Sequence, residues 1–432
     1  MPKTKIAIVT TIPTDAIPAI EAAKTINEKN PNTIELCLRT GGDFRDFGTL
    51  DEFINFAKTA HIVIVHLMGD LPELEKLVEE LKTAKVPLMV SASFFGAKDY
   101  NKYSTVEAED RKKIFFYLNY GGKKNFTNLM YFLMSRFTGA SHDFEEPTKP
   151  LWEGIYHPDF SHLPTLTEYI EKKFDPKRVT VGLWFHQSHW QGGNTSFIDH
   201  TIREIEAQGA NVLPVFFSGS KNPKLGINGL EWVIDNFFLK DGKPIIDVVV
   251  SLFSFSFSTC LSGADASLVL KKLNVPIIKA ILTCNTAEEW RDSIQGLSVM
   301  DIPANIAMPE FDGALITVPI AAMDCCQFNS TTGTRLIKYE PIAERTQKLV
   351  SLAINWGKLR RLPNSEKKVA IIFHNYPPRN DTIGHAFGLD SSASVMNILE
   401  ALKKEGYMLD FMPESSQKLM DTIINGLTND RR

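Results

Sequence analysis

A chain of 432 residues is long enough for roughly two to four domains with a sizeable core. Its 44% hydrophobic and 23% charged content exclude a disordered chain, and a net charge of −4 excludes the basic footprint of a nucleic-acid binder. The most apolar stretch, "IIDVVVSLFSFSFS", is too short and too serine-rich to span a bilayer.

The chain opens on "KTKIAIVTT", a short β-branched run led by basic residues, with no signal-peptide cleavage pattern. Helix "AIPAIEAAKTINEKN", strand "TIELCLR", helix "LDEFINFAKTA", strand "HIVIVHLM", helix "LPELEKLVEELKTA" and strand "VPLMVSA" follow. Residues 1–146 therefore read as an N-terminal α/β domain. The Pro-rich "PTKPLWEGIYHPD" reads as a boundary loop. A second unit, residues 147–335, opens on "KRVTVGLWF" and alternates helix "SFIDHTIREIEAQG", strand "NVLPVFF", helix "GLEWVIDNFFL", strand "DVVVSLF", helix "GADASLVLKKLN" and strand "VPIIKAI". Residues 336–432 hold a long helix with Leu349, Leu352, Ala353, Trp356 and Leu359 on one stripe. The third unit follows: strand "VAIIFHN", helix "SASVMNILEALKKEG", strand "YMLDFMP" and helix "SSQKLMDTIINGL".

The fold class is α/β and multi-domain, with Rossmann-like or flavodoxin-like parallel sheets covered by helices and an incomplete third α/β unit. Two strands do not make a stable doubly wound domain, so they join an earlier sheet or belong to a longer protein. The five cysteines, with Cys325 and Cys326 adjacent, form no disulfide framework or CxxC zinc motif, which points to a reducing cytoplasm.

No P-loop is present: Gly122-Lys123, Gly242-Lys243 and Gly357-Lys358 are each followed by the wrong residue. No GxGxxG follows an opening strand, and neither GxSxG nor HExxH occurs. Open parallel sheets bind ligands at the carboxyl ends of their strands, and several unusual segments fall there. "HQSHWQGGNTSFID" carries His186, His189 and Asn194, "SFSFSTC" alternates serine with phenylalanine, and "HNYPPRNDTIGHAFGLD" carries His374 and His385. "NIAMPEFDGALITVPI" places Glu310 and Asp312 in an apolar run, where carboxylates are paired, metal-bound or used; a plain turn is the alternative. Each feature has a structural explanation alone. A loop histidine commonly bonds backbone, and Ser/Phe alternation suits a half-buried strand. Together they suggest a metal-related or acid–base site.

The ordered set "YGGKKNFTNLMYFL", "PLWEGIYHPD", "SHWQGGNTSFID", "GANVLPVF", "MPEFDG", "HNYPP" and "GLDSSASVMNILEALKKEGY" resembles the cobaltochelatase large subunit and its relative, the H subunit of magnesium chelatase. The resemblance runs from about Ile6 to about Leu427. It implies a tetrapyrrole-binding subunit on which Co2+ or Mg2+ is inserted into a corrin-type or porphyrin ring. ATP would be used by separate AAA+ partner subunits and not bound by this chain. The chain would be the N-terminal part of a longer subunit whose remainder completes the site. By the matching motifs, Glu310 would accept protons and handle metal, with His189 second. Asn194 and Asp312 would orient, and His186 and His374 would contact the ring. Metallation removes two pyrrole N–H protons and strips water from a divalent ion, both tasks for a carboxylate or imidazole. Two other readings compete: a tetrapyrrole carrier without insertion activity, and a glycosyltransferase-like or solute-binding two-domain protein.

Overall fold

The computed structural model describes residues 3–12, 14–94, 98–258, 266–329 and 331–426. They form two compact units, Met1–Ile354 and Asn355–Arg432.

The first unit holds two doubly wound lobes. In the first lobe, β1 (Thr4–Thr10), β2 (Ile34–Thr40), β3 (Ile62–Leu67) and β4 (Leu88–Ala92) form a parallel sheet in the order β2-β1-β3-β4. Successive side chains of a strand point to opposite faces. Ile6 and Ile8 pack among helices Ala16–Lys29 and Gly122–Thr138, while Ala7 and Val9 pack against helices Leu50–Ala57 and Leu74–Thr83. Burial on both faces explains why the strands read as unbroken apolar runs.

The second lobe contains β5 (Gly154–Ile155), β6 (Thr180–His186), β7 (Asn211–Phe217), the small hairpin β8 (Leu239–Lys240) and β9 (Lys243–Pro244), β10 (Val248–Ser251), β11 (Ile277–Thr283), β12 (Leu315–Asn329) and β13 (Thr334–Pro341). Its main sheet runs β13-β12-β11-β10-β6-β7-β5, parallel inside with antiparallel edges β13 and β5. Val181, Leu183 and Phe185 face helix Ser196–Ala207 and Leu349, Val350, Ala353 and Ile354 of the helix Ala343–Arg361. Trp184 and Val249 face the opposite core, with Leu230, Val233 and Phe238. This sheet continues to Pro341, beyond residue 335, and the expected stripe splits: Leu349 and Ala353 are buried, while Leu352, Trp356 and Leu359 are exposed.

The Ser/Phe segment is not a strand. After Ser251 the chain leaves the sheet, and residues 252–258 form a loop. "MPEFDG" is likewise neither extended nor a simple turn: Met308–Phe311 is one helical turn ended by Asp312. Glu310 and Asp312 thus do not share a face, because residues two apart diverge on a helix. Residues 263–265 of the expected helix, Thr259 and Cys260 of the Ser/Phe segment, and the side chains of Cys325 and Cys326 lie outside the described residues; the helix is described over Ala266–Lys271.

In the second unit, helices Ser391–Lys404 and Ser416–Asn425 form where expected, capped by Asp390 and Ser415. The strands expected at "VAIIFHN" and "YMLDFMP" do not form; Ile372 is 90% exposed and Met408 is 73% exposed. A strand exists only by pairing its backbone groups, and among the described residues of this unit no adjacent strand supplies them beyond an isolated Asn375–Ile383 bridge.

The β12–β13 hairpin reaches from the second lobe onto the edge of the first. Leu38 N donates to Thr332 O at 3.2 Å, and Arg39 Nη1 donates to the same oxygen at 2.8 Å. Asp43 accepts from Thr334 Oγ1 at 2.8 Å and from Arg335 N at 3.3 Å. Arg39 and Asp43 are both buried. Replacing one member of such a set leaves its partners unsatisfied, at about 1–3 kcal/mol. Asp43→Ala is expected to lower the urea midpoint by that equivalent. Glu52→Ala, which removes only an exposed partner 3.8 Å from Arg39, should leave it unmoved. Equal midpoints for the two variants would refute the clamp.

Candidate functional site

In an open parallel sheet the crevice for ligands lies where neighbouring strands connect in opposite directions. In the first lobe that switch lies between β1 and β3, and in the second between β6 and β10. Both open onto one cavity of about 430 Å3, within the usual range of small-molecule sites. Ile12, Thr14, His66 and Met68 line it from the first lobe, and His186, Gln187, Ser218 and Phe255 from the second. A larger recess of about 650 Å3 lies beside β4 under Lys98, Arg111 and Lys112, but carries no imidazole.

His186 ends β6 and caps the short helix Gln187–Gln191: its Nδ1 accepts from Ser188 N at 3.2 Å. Its ring meets the edges of Phe253 and Phe255. Burial among these rings pushes its pKa down to about 4, so the imidazole is neutral at physiological pH. Gln187 Nε2 donates to Gln191 Oε1 at 2.6 Å, and Gln191 in turn donates to Tyr120 O, joining the two lobes beside the cavity. Gly121, at φ +58°, leaves no room for a Cβ against that glutamine.

His189 lies one turn further on and does not line the cavity. Its ring is half-buried, edge-on to Phe197 and Tyr339, and its nitrogens bond no described residue. Burial, reinforced by His186 and Lys279, pushes its pKa down to about 3. Lys279 is itself fully buried on β11, and burial lowers its pKa to about 7 despite Asp301. Asn194 is structural in its contacts: its Oδ1 accepts from Tyr339 N at 3.1 Å, tying the glycine turn to β13.

Asp312 organises the Ser/Phe loop. Its carboxylate accepts from Ser256 Oγ at 2.8 Å, Phe257 N at 2.7 Å, Ser258 N at 3.0 Å and Ser258 Oγ at 2.7 Å. That loop carries Phe255 into the cavity wall. Glu310 is exposed on its helical turn, and its side chain bonds no described residue. It does not line the inter-lobe cavity, nor do Asp312 and Asn194. His374 belongs to the second unit, where it is exposed beside Tyr376.

"PLWEGIYHPD" proves to be a stitch within the second lobe. Trp152 Nε1 donates to Leu225 O at 3.0 Å, Glu153 accepts from Asn228 N at 2.7 Å, and Tyr156 Oη donates to Asp199 at 2.8 Å. His157, Asp159 and Glu206 bring ligand-type atoms within 4.8 Å of one another. Lys173 and Arg203 already pair with both carboxylates, and these hydrogen bonds hold Asp159, paired first with Arg203, well below the usual carboxylate range. This is an ion-pair network whose negative charge is already neutralised, not an open cation site.

Two titratable cavity residues, His66 and Asp15, were not singled out in the sequence. His66, in "HIVIVHLMGD", and Asp15, in "TTIPTD", lie on and just after first-lobe strands, and the strand-end rule applied to the second lobe would have found them. The helices Ala108–Tyr120 and Gly122–Thr138, which bring Asn119 and the Gly121 between them to the cavity, were also not predicted.

Among known proteins, the chain is 36% identical over 398 residues to an uncharacterised protein of Methanocaldococcus jannaschii, covering 88% of this chain and 32% of that protein. It is 28% identical over 388 residues to the aerobic cobaltochelatase subunit CobN of a Sinorhizobium species, covering 86% and 29%. The catalytic subunit of cobaltochelatase from Mycobacterium tuberculosis has the same fold, with a TM-score of 0.65, 21% identity, and 98% of this chain matched to 33% of that one. The chain thus spans about a third of the length of these relatives. No helix among the described residues is long and apolar enough to cross a membrane. The model of the family described as CobN/Magnesium Chelatase matches residues 115–432, and the chain belongs to that family of cobalt and magnesium chelatase large subunits.

Proposed function

We propose that this chain is part of the tetrapyrrole-holding large subunit of an ATP-dependent metal chelatase, inserting Co2+ or Mg2+ into a corrin-type or porphyrin ring. The observation that carries this is the inter-lobe cavity. Both switch points open onto it, apolar side chains and Phe255 line it, and a neutral imidazole, His186, faces it. Such walls suit a flat, largely apolar heterocycle, and a neutral imidazole does not repel an incoming cation. AAA+ partner subunits would hydrolyse the ATP, and the cytoplasm is the proposed setting.

Glu310 is the carboxylate proposed for proton removal and for stripping the incoming metal ion. What supports it is its place in "MPEFDG" and its exposed side chain, which bonds no described residue. His189 is the proposed second group, kept uncharged by burial. The separation of Glu310 from the cavity lining favours a second reading, in which the chain holds or delivers the ring and insertion needs additional protein.

Glu310→Gln is expected to bind the ring as wild type does but to lose metal insertion once the full assembly is reconstituted. Wild-type insertion by that variant would sink the catalytic assignment and favour the carrier reading. Fluorescence-quenching titrations with hydrogenobyrinic diamide and protoporphyrin test the ring itself; silence with both would refute ring binding. The pure chain should show no ATP turnover, and sustained phosphate release would refute the assignment of ATP hydrolysis to partners. Because His186 and His189 titrate near 4 and 3 when folded but near about 6.5 when unfolded, the unfolded state binds protons first as pH falls. Their stabilising contribution is complete above that unfolded value and declines steadily toward pH 4. His189→Asn should flatten the decline measured by urea denaturation, and an unchanged slope would contradict it.

A further inference from the structure

The first-lobe wall of the cavity carries a buried pair that the proposed chemistry has not used. His66 on β3 is 1% exposed and Asp15 is 3% exposed, and both line the cavity. His66 Nδ1 lies 2.7 Å from Asp15 Oδ2. The same oxygen accepts from Thr10 Oγ1 at 2.7 Å, and Thr10 Oγ1 accepts from Ile12 N at 2.9 Å. The chain Ile12 N–H, Thr10 hydroxyl and carboxylate fixes the direction of donation: Asp15 is the acceptor, so the histidine proton sits on Nδ1.

In the neutral imidazole the lone pair is then on Nε2, and Nε2 is buried with no hydrogen-bond partner among the described residues. A purely structural Asp–His pair would bury that nitrogen against a donor, because an unsatisfied buried acceptor costs stability. Across the cavity the tautomer is reversed. His186 Nδ1 accepts from Ser188 N, so its proton is on Nε2. One wall presents an imidazole acceptor and the other an imidazole donor.

We propose that His66 Nε2 is the hydrogen-bond and proton acceptor for a pyrrole-type N–H of the ligand in this cavity, with Asp15 as its positioning residue. This rests on the reading of the cavity as a ring-binding site and names the group that meets the ring nitrogen. In the transfer the ligand N–H bond breaks, its electron pair stays on the ligand nitrogen, and the proton forms a new N–H bond at Nε2. The resulting imidazolium is stabilised by the Asp15 carboxylate, and nothing is oxidised or reduced. Asp15 and His66 both precede the residues matched by the chelatase family model.

The test is imidazole 15N NMR on the full chain, with the His66 signal assigned by its loss in His66→Gln. In the free protein Nε2 should resonate as an unprotonated nitrogen, and it should shift on adding either protoporphyrin or indole, a small N–H heterocycle. Asp15→Asn should scramble the tautomer, and both Asp15→Asn and His66→Gln should weaken protoporphyrin binding about ten-fold or more; His162→Ala, an exposed histidine, should not. A shift with indole but no binding of protoporphyrin would leave this inference standing and strike the macrocycle reading. Protoporphyrin binding with Nε2 unmoved, an Nε2 already protonated in the free chain, or no shift with either probe would overturn it. The wild-type spectra decide the matter even if a variant fails to fold.

Discussion

The architecture depends on a buried polar clamp between the two lobes. Arg39 and Asp43 flank the end of β2 in the first lobe, and both find partners in the β12–β13 hairpin of the second: Thr332, Thr334 and Arg335. Leaving a buried charge without partners costs far more than exposing an apolar side chain, so the hairpin must stay seated. Seated hairpin and inter-lobe glutamine together hold the carboxyl ends of two parallel sheets against each other. The cavity follows from that juxtaposition.

Several motifs that look chemical in isolation serve this geometry. Asp312 spends its carboxylate on four donors of the Ser/Phe loop and so sets the wall that carries Phe255. Asn194 secures the glycine turn to β13, and "PLWEGIYHPD" binds the start of the second lobe to its own helices. Among the expected site residues, only His186 lies on the cavity, and Glu310 stands apart, exposed and bonded to no described residue. In the proposed reaction ring, cation and carboxylate must meet, and the inter-lobe walls do not include Glu310.

Much of the fold was legible because parallel strands buried on both faces leave an unmistakable record: "IAIV", "IVIV" and "VLPVFF" are apolar throughout, with helices of 3.6-residue period between them. The failures have physical causes. "VAIIFHN" has a strand's composition but, among the described residues of its unit, no adjacent strand, and composition cannot supply a hydrogen-bonding edge. "SFSFS" alternates like a strand, yet Asp312, more than fifty residues away, draws its backbone into a loop.

The sequence by itself determined the alternation of strand and helix, the family of chelatase large subunits, and which residue types were available for acid–base work. Local pattern and ordered motifs suffice for that. Only the tertiary structure decided which of those residues meet. Strand order places the switch points, the hairpin brings the lobes together, and the pairing of Asp15 with His66 depends on contacts between β1 and β3 across fifty residues of chain. Such long-range contacts are set by packing and burial, and no local window of sequence records them.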